Sequence, residues 1–410
     1  WSNAANWSPA RVPGPKDTVS ITAPGSYIVT LDVNDTVAFL AVGDTLSGMA
    51  LDMAIGHRLF IDSAAVIQQG GVMLLGGADT IGGAGNLTNK GGLTLEGSAI
   101  TTAFVSNAGA LQAAGASSIT GSFSNSSNGG LIVYSTSTGD ATLTISSGFL
   151  NAGVILLENS DAVVHNVTLA VPSGVLTNIP GSNLQSELGS AGGNRTLAAM
   201  LDNQGAVLVS QTLTIAKDSA THGNSGTINL AGGDLNVILS GFRPAFSNES
   251  GGLIDVGTNK LVITNQSTGT FINQPGGTLQ GSGTIDIGTS SFIDDGLLNV
   301  GGLPGIMQFV GPYTEGPNPA ALSVDLGTPV TPGLTFDQFQ VSDNVTLQGG
   351  TLNASLLGSY IAGSYPILTV PAGKSITGDF TTKNLPTNPL NGGQCTGAVV
   401  GLQYVITCPP

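Results

Sequence analysis

Apolar and polar residues alternate in short runs along much of this chain. A typical run contains two apolar residues two positions apart, and their side chains are expected to point into the core. A second run follows after a segment that resembles a turn. Alternation with period two, rich in Val, Ile, Leu and Thr and bounded by Gly, Asn and Ser, predicts β-strands. No segment has the spacing of an amphipathic helix, so an all-β protein is expected. The clearest runs contain Leu93 and Leu95, Leu131 and Val133, Val154 and Leu156, Leu213 and Ile215, Leu235 and Val237, and Ile285 and Ile287.

One phrase recurs ten times among these runs. It consists of an apolar residue (His222 in one copy), any residue, an Asn or Asp, and a Gly shortly afterwards. The intervals between successive copies range from 18 to 27 residues. Self-similarity at such a period indicates a stacked-repeat architecture. The Asn or Asp positions are Asn89, Asn107, Asn125, Asn151, Asn178, Asn203, Asn224, Asn248, Asn273 and Asp294.

The repeat favours a right-handed parallel β-helix, in which two or three short strands and their turns form one coil. Asn suits a recurring corner because it tolerates a left-handed backbone and its amide can bond to the Asn of the next coil. The Gly that follows is expected to supply a positive φ. The residue two before each Asn is expected to form an internal column, in which Phe149, Phe246 and Phe271 stack. A β-sandwich or barrel is the alternative, but neither requires the phrase to recur.

Three regions are predicted. Residues 1–84 form an N-terminal cap and the first coils, with strands near residues 27–33 and 37–42. Residues 85–300 form the regular coils. Residues 301–410 form an irregular C-terminal β region, because Pro becomes frequent there and the Asn phrase stops, although strand-like runs continue at 336–341, 345–352 and 365–370. This last region is either an irregular end of the solenoid or a small β-domain.

Composition narrows the classes of function. Only 9% of the residues are charged and the net charge is −15, yet 40% are apolar. Disorder is therefore not expected. No Lys or Arg occurs at 91–194 or 261–373, which argues against nucleic-acid binding because phosphate contacts need a basic patch. A weakly charged surface suits close protein packing or contact with carbohydrate. No apolar run is long enough to span a membrane.

The two cysteines, Cys395 and Cys408, flank a segment that reads as a hairpin or a pair of short strands. A disulfide at this position would stabilise the chain end by roughly 3 kcal/mol in the chain-entropy model. It implies an oxidising compartment. The chain begins at Trp1 rather than Met, which is typical of an exported protein after removal of its signal peptide, or of a trimmed chain.

The stretch Trp1…Asn6-Trp7-Ser8…Pro13…Asp17-Thr18-Val19 resembles the opening of many secreted bacterial β-helix proteins. The later run resembles the end of autotransporter-type and filamentous-haemagglutinin-like passenger regions. It comprises Thr335-Phe-Asp-Gln-Phe-Gln-Val-Ser342, Val345-Thr-Leu-Gln-Gly-Gly-Thr-Leu352, Gly363-Ser-Tyr-Pro-Ile-Leu-Thr369 and Thr377-Gly-Asp-Phe380. The resemblance implies export, a β-helical shaft and adhesive or structural work. The chain lacks the translocator barrel of classical autotransporters, so a released or self-assembling product is expected.

We therefore expect a secreted, non-catalytic structural or adhesive surface protein that needs no cofactor and assembles end to end into an extracellular filament. The N-terminal segment with Trp1 and Trp7 and the C-terminal region closed by Cys395 and Cys408 are the candidate assembly elements. Non-closing contacts between unlike surfaces produce filaments, and one copy can lend a strand to the next. The expected partners are further copies of the chain and surface glycans.

A polysaccharide-binding or polysaccharide-degrading β-helix protein is the alternative. Such enzymes need clustered acids, for acid–base chemistry or calcium. Asp294 and Asp295 are the only adjacent acid pair, and their place at the repeat corner favours a turn. The segment with His222 loosely resembles a Gly-His-Gly element of polygalacturonases, but its column position favours a packed side chain. Calcium at the loop carboxylates Asp32, Asp35 and Asp44 is left open.

Overall fold

A computed structural model of the chain describes residues 1–45, 48–302, 304–317, 319–327, 331–360 and 362–410. Close contacts divide the chain into two compact units, Trp1–Leu201 and Asp202–Pro410, and the boundary falls within one strand. One 3-10 turn (Ala4–Asn6) precedes the first strand, and every other regular element in the described ranges is a β-strand. The all-β prediction is confirmed.

The strands of the first unit are β1 (Thr18–Ile21), β2 (Tyr27–Leu31), β3 (Asp35–Val42), β4 (Met49–Met53), β5 (Arg58–Ile67), β6 (Gly71–Leu75), β7 (Thr80–Gly82), β8 (Asn86–Asn89), β9 (Gly92–Glu96), β10 (Ala99–Thr101), β11 (Phe104–Asn107), β12 (Ala110–Ala114), β13 (Ala116–Ile119), β14 (Ser122–Asn125), β15 (Gly130–Ser135), β16 (Ala141–Ile145), β17 (Phe149–Asn151), β18 (Val154–Asn159), β19 (Val167–Asn178), β20 (Asn183–Ser186) and β21 (Arg195–Asn203), the last of which contains the boundary.

The strands of the second unit are β22 (Ala206–Val209), β23 (Leu213–Ala216), β24 (Thr221–Asn224), β25 (Thr227–Asn229), β26 (Leu235–Leu239), β27 (Ala245–Asn248), β28 (Leu253–Asp255), β29 (Lys260–Asn265), β30 (Thr270–Asn273), β31 (Thr278–Gly281), β32 (Thr284–Asp286), β33 (Ser291–Asp294), β34 (Leu297–Val300), β35 (Ile306–Val310), β36 (Tyr313–Glu315), β37 (Ala321–Leu326), β38 (Gln338–Val341), β39 (Val345–Gln348), β40 (Thr351–Leu356), β41 (Gly363–Thr369), β42 (Ile376–Asp379), β43 (Thr382–Asn384), β44 (Thr396–Val400) and β45 (Gln403–Cys408).

In most coils the strands follow a three-strand order, and in the others the first two strands are continuous, as in β5 and β19. The Asn phrase ends the second strand of a coil, which we call the Asn strand, and the strands before and after it are the leading and trailing strands. Strands β10, β11 and β12 form one such coil, and β26, β27 and β28 form another. In these coils each strand pairs in parallel with the equivalent strand of the next coil. The parallel, stacked sheets are consistent with a β-solenoid.

The core lies between the sheets of each coil, because alternate residues point inward. On the trailing strands of the first unit, Leu93, Leu111 and Leu131 are partners in register and are fully buried. On the leading strands of the second unit, Leu261 pairs with Ile285 in the same way. Apolar residues of similar shape therefore form continuous internal columns.

Beyond residue 300 the parallel pairing continues through β42 and β43. The chain then turns into an antiparallel hairpin, in which β45 pairs with both β41 and β44. The predicted single run at 345–352 is two strands, β39 and β40, because Gly349 takes a left-handed φ of +97° and turns the chain between them. The predicted run at 336–341 is shorter, since β38 begins at Gln338.

Candidate assembly site and internal polar ladders

The Asn residues of the first unit form a hydrogen-bonded ladder inside the protein. Asn89 Nδ2 donates to Asn107 Oδ1 at 2.8 Å, and Asn107 Nδ2 donates to Asn125 Oδ1 at 2.8 Å. The ladder continues from Asn125 to Asn151 and from Asn151 to Asn178, each at 2.7 Å. These side chains are at most 1% exposed. Each of the four donor amides also donates to a backbone carbonyl, so the buried polar atoms are satisfied.

The second unit contains an equivalent ladder that ends on an acid. Its side-chain amides donate from Asn203 to Asn224 at 2.7 Å, then to Asn248 and Asn273 at 2.8 Å each. Asn273 Nδ2 donates to Asp294 Oδ1 at 2.8 Å. The second carboxyl oxygen of Asp294 accepts a hydrogen bond, whereas the corresponding side-chain NH2 of an Asn donates. Tyr313 Oη donates to this oxygen at 2.7 Å.

The glycines of the phrase have a different main role from the one expected. No Asn of the two ladders has a positive φ, and only Gly181, Gly251 and Gly276 among the phrase glycines do. Six of the others are required because the neighbouring coil leaves no room for a side chain, and these are Gly91, Gly109, Gly129, Gly153, Gly226 and Gly296. A Cβ on Gly153 would lie 2.1 Å from the carbonyl oxygen of Gly129, and a Cβ on Gly129 would lie 2.5 Å from the carbonyl oxygen of Asn107.

The residues two before each Asn line the core as an aromatic and aliphatic column. The Phe123 and Phe149 rings meet edge to face with centroids 4.9 Å apart. Phe246 and Phe271 stack with an interplanar angle of 13°. His222 occupies the same position in register with Phe246 and is fully buried, so it belongs to the packed column.

Because burial lowers the pKa of His222 to about 4 from 6.5, the folded state holds this imidazole neutral while the unfolded chain takes up a proton. The stability that neutral His222 contributes is therefore complete above about pH 6.5 and falls as the pH drops toward 4, by about 3 kcal/mol in total. His222→Leu should remove that loss, whereas His57→Gln, at a half-buried histidine outside the column, should retain it. Denaturant unfolding between pH 4 and 7 checks this, and equal slopes for all three proteins would contradict it.

The loop carboxylates considered for calcium have other contacts. Asp32 accepts hydrogen bonds from Ser2 N at 2.8 Å and from Ser2 Oγ at 2.6 Å, which lower its pKa. Asp35 accepts a hydrogen bond from Trp1 Nε1. Within the described part of the chain, no three His, Cys, Asp or Glu side chains are grouped to hold a metal ion.

The segment before β1 packs against the first strands. Trp1 is 5% exposed, and its ring meets that of Trp7 at 5.1 Å. Trp7 Nε1 donates to the Trp1 carbonyl at 2.8 Å. A cleft of about 870 Å³ lies between this segment and β1–β2, and Trp7 and Tyr27 are among its lining residues. The structure thus buries most of Trp1, and both Trp1 and Trp7 line the cleft.

The trailing strand of the first coil has an open edge. In the described residues β2 pairs only with β4. The carbonyl of Leu31 accepts from Ala54 N, on the β4 side, and that of Thr30 accepts from Trp1 N, on the other side. Successive residues of a strand direct their backbone groups to opposite edges. The N–H and C=O of Ile28 therefore face the open edge, where the Ile28 side chain is 64% exposed.

The trailing strand of the last coil has an edge of the same kind. Among the described strands β43 pairs only with β40, and Thr382 N donates to the Gly350 carbonyl on that side. The backbone groups of Lys383 consequently face outward. The neighbouring hairpin holds the two cysteines together, since Cys395 and Cys408 lie at disulfide-bond distance, with 2.04 Å between the sulfurs. The predicted cysteine pair is confirmed.

Sequence reasoning missed Arg195, which organises two loops of the first unit. The guanidinium is fully buried and donates to the carbonyls of Glu187 at 3.0 Å and Leu188 at 2.9 Å. It also reaches the carbonyls of His165 and Ala191. Loops 160–166 and 187–194 are thereby joined, with Val163, Val164 and Leu188 at least 50% exposed on them. The only sequence signal was an isolated Arg after a long stretch without basic residues.

Sequence reasoning also missed Tyr313 and Glu315. Both lie on β36, and Glu315 is the register partner of Asp294. The sequence signal was present, because Tyr313-Thr-Glu315 repeats the aromatic-x-acid pattern of Phe292-Ile-Asp294 after one further coil length of 21 residues. The Asn-based phrase did not include it.

None of the helices in the described ranges has the length and apolar character needed to cross a membrane. No protein-family model matches the chain, and no curated protein matches it in sequence.

Proposed function

We propose that this protein is a secreted, non-catalytic structural or adhesive surface protein that stacks end to end through the strand edges of its first and last coils. The observation that carries the proposal is that, among the described strands, one edge of β2 and one edge of β43 have no strand partner. An exposed strand edge is a template for pairing with another chain, and strand addition gives affinity through main-chain hydrogen bonds. Because coils already stack in parallel within each unit, a second copy can continue the same pairing.

The architecture that accompanies this proposal is a right-handed parallel β-helix whose N-terminal cap and first coils lie in residues 1–84. Parallel strands joined by crossovers are right-handed in nearly all proteins, which supports the handedness. The buried polar atoms of the ladders are satisfied internally, as a scaffold requires. Export and kinship with autotransporter or filamentous-haemagglutinin-like passengers remain part of the proposal, supported by the low surface charge and the cysteine pair.

Ile28→Pro tests the strand edge directly. Proline removes the outward N–H of Ile28, and an edge strand tolerates this because the N–H faces away from β4. We expect wild-type protein to form filaments in electron micrographs and the Pro variant to remain as discrete particles with an unchanged circular dichroism spectrum. Ile28→Thr, which keeps the N–H, should still form filaments. Discrete particles of wild-type protein at every concentration and salt would refute end-to-end assembly.

The adhesive part of the proposal is supported by the loop pair around Arg195. Exposed apolar side chains normally lie scattered on a surface, whereas Val163, Val164 and Leu188 project from loops that a buried guanidinium holds in place. Triple substitution of these residues by Ser should reduce adhesion to a glycan- or protein-coated surface without altering filaments.

A glycan-binding role is the second candidate, favoured by the cleft beside Trp7 and Tyr27. Its lining combines aromatic rings with the side chains of Asn3, Asn6 and Asp17, and an apolar surface with a few polar groups is typical of small-ligand sites. Binding of soluble oligosaccharides that is lost in Tyr27→Ala, with filaments retained, would favour this role over assembly at the cleft.

A further inference from the structure

Two buried carboxyl groups lie one above the other where the second polar ladder ends. Asp294 and Glu315 are partners in the parallel register of β33 and β36, so their backbones are about one strand spacing, roughly 4.8 Å, apart. Asp294 is 1% exposed and Glu315 is fully buried. The next residue of this column is Leu347, on β39. Glu315 therefore lies where the column changes from polar to apolar.

The two carboxyl groups differ in their hydrogen-bond partners. Asp294 accepts from Asn273 Nδ2, Tyr313 Oη and, at 3.3 Å, Gly296 N. Glu315 lies against the backbone of Gly350, where an added Cβ would be 2.4 Å from Oε1. The Gly350 N–H acts to lower the pKa of Glu315. Within the described residues, however, neither carboxyl oxygen of Glu315 has a partner that satisfies both the distance and the angle of a hydrogen bond.

Among the described residues, no Lys, Arg or His acts directly on the charge of either carboxyl group. Asp295 adds negative charge beside Asp294, and Tyr313 on β36 and Tyr404 on β45 are the phenols that sense Glu315. Burial and the charge of Asp294 raise the pKa of Glu315 to about 8, and burial raises the pKa of Asp294 to about 6. Two close carboxylates in a low-dielectric core cannot both ionise without large cost.

We propose that Asp294 and Glu315 form a proton-operated latch that holds the coil of β36 on the coil of β33. With a proton on Glu315, the polar ladder ends on a neutral group and the coils from Tyr313 onward stay stacked. When the pair carries two negative charges, repulsion across one strand spacing loosens β36 and its neighbour β39. The latch is a property of the second unit and does not depend on end-to-end assembly.

The direction of the pH dependence follows from proton uptake. The folded pKa of Glu315, about 8, exceeds its ordinary value of 4.5. The stabilisation is therefore fully present below about pH 4.5 and is lost as the pH rises through 8. Between about pH 6, where Asp294 has ionised, and pH 8 the local opening constant should rise about tenfold per pH unit, because opening then releases the one proton on Glu315.

Native-state hydrogen exchange of the β36 and β39 amides between pH 6 and 8 tests the latch. We expect the opening constant, corrected for intrinsic exchange, to rise about tenfold per pH unit in wild-type protein and to be flat in Glu315→Gln. Asp295→Asn, at a half-buried neighbour outside the column, should keep the wild-type slope. An unchanged slope in Glu315→Gln would overturn the proposal.

A second variant keeps the test decisive if Glu315→Gln does not fold. Asp294→Asn restores the residue found at the other corners and removes the charge that acts on Glu315, so the slope should level off at a lower pH than in wild-type protein. Infrared spectra at pH 7 should also contain a protonated carboxylic acid band that Glu315→Gln removes. The latch would be overturned if that band were absent, or if the slope levelled off at the same pH in Asp294→Asn as in wild-type protein. Stabilisation by calcium at pH 8 in place of the proton dependence would also overturn it.

Discussion

Asn248→Asp should destabilise the second unit by about 4 kcal/mol at pH 7, because the change leaves a buried charge among acceptors. The Asn248 amide donates to Asn273 Oδ1 at 2.8 Å, to the Thr278 carbonyl at 3.1 Å and to the Gly252 carbonyl at 3.3 Å. An aspartate oxygen at that position has no hydrogen to donate to any of them. Denaturant unfolding followed by circular dichroism measures the loss, which should shrink at acidic pH as the carboxyl group takes up a proton.

Two matched substitutions separate the ladder from the chemistry of the residue. Asn229→Asp introduces the same charge on the exposed side of β25 and should change stability by no more than about 0.5 kcal/mol. Asp294→Asn makes the reverse change in the ladder and should be neutral or stabilising at pH 7, because it removes a buried acid and Tyr313 Oη can accept from the new amide. Comparable losses for Asn248→Asp and Asn229→Asp would show that the ladder contributes little.

Arg195→Ala should destabilise the first unit by about 4 kcal/mol, because four backbone carbonyls lose a charged donor and a buried volume is left empty. Loops 160–166 and 187–194 should open first. Thermolysin, which cuts beside apolar residues, should then cleave near Val163, Val164 or Leu188 much faster than in wild-type protein.

Arg195→Lys should recover only part of the stability, since an ammonium group cannot reach four carbonyls with the geometry of a planar guanidinium. Arg243→Ala is the matched control, because Arg243 is exposed and its main described contact is with the Phe242 ring at 5.2 Å. Arg243→Ala should leave both unfolding and thermolysin cleavage at wild-type values. If Arg195→Ala behaved like Arg243→Ala, the buried guanidinium would not be what joins the loops.

The phrase spacing predicted which residues share a column, despite intervals that vary from 18 to 27 residues. Asn107 and Asn125 are register partners, as are Phe246 and Phe271. This was predictable because an inward side chain that recurs once per coil has to meet its own equivalent in a parallel stack. The varied intervals are taken up in the loops, such as 160–166 and 187–194.

The C-terminal region was less predictable, because the repeat there changes residues while the pairing continues. Tyr313 and Glu315 occupy the positions of Phe292 and Asp294, yet Val345 and Leu347 follow them in the next coil. The strands stay in register when the side chains of a column change from polar to apolar. A search for the Asn phrase therefore no longer predicts which residues are register partners beyond that point. The antiparallel hairpin of β44 and β45 was predicted, because the segment between the cysteines reads as a hairpin or a pair of short strands, but the pairing of β45 with β41 was not.

By itself the sequence determined the all-β class, the parallel repeat, the corner and column residues, and the cysteine pair, because each follows from periodicity or spacing along the chain. Only the tertiary structure decided why the glycines are needed, which edges of β2 and β43 stay open, and that Arg195 and Glu315 are buried. These properties depend on the distance between neighbouring coils and on which groups are buried from solvent. Coil-to-coil distance and solvent access are set by the stacking of strands far apart in the chain, and no local pattern encodes them.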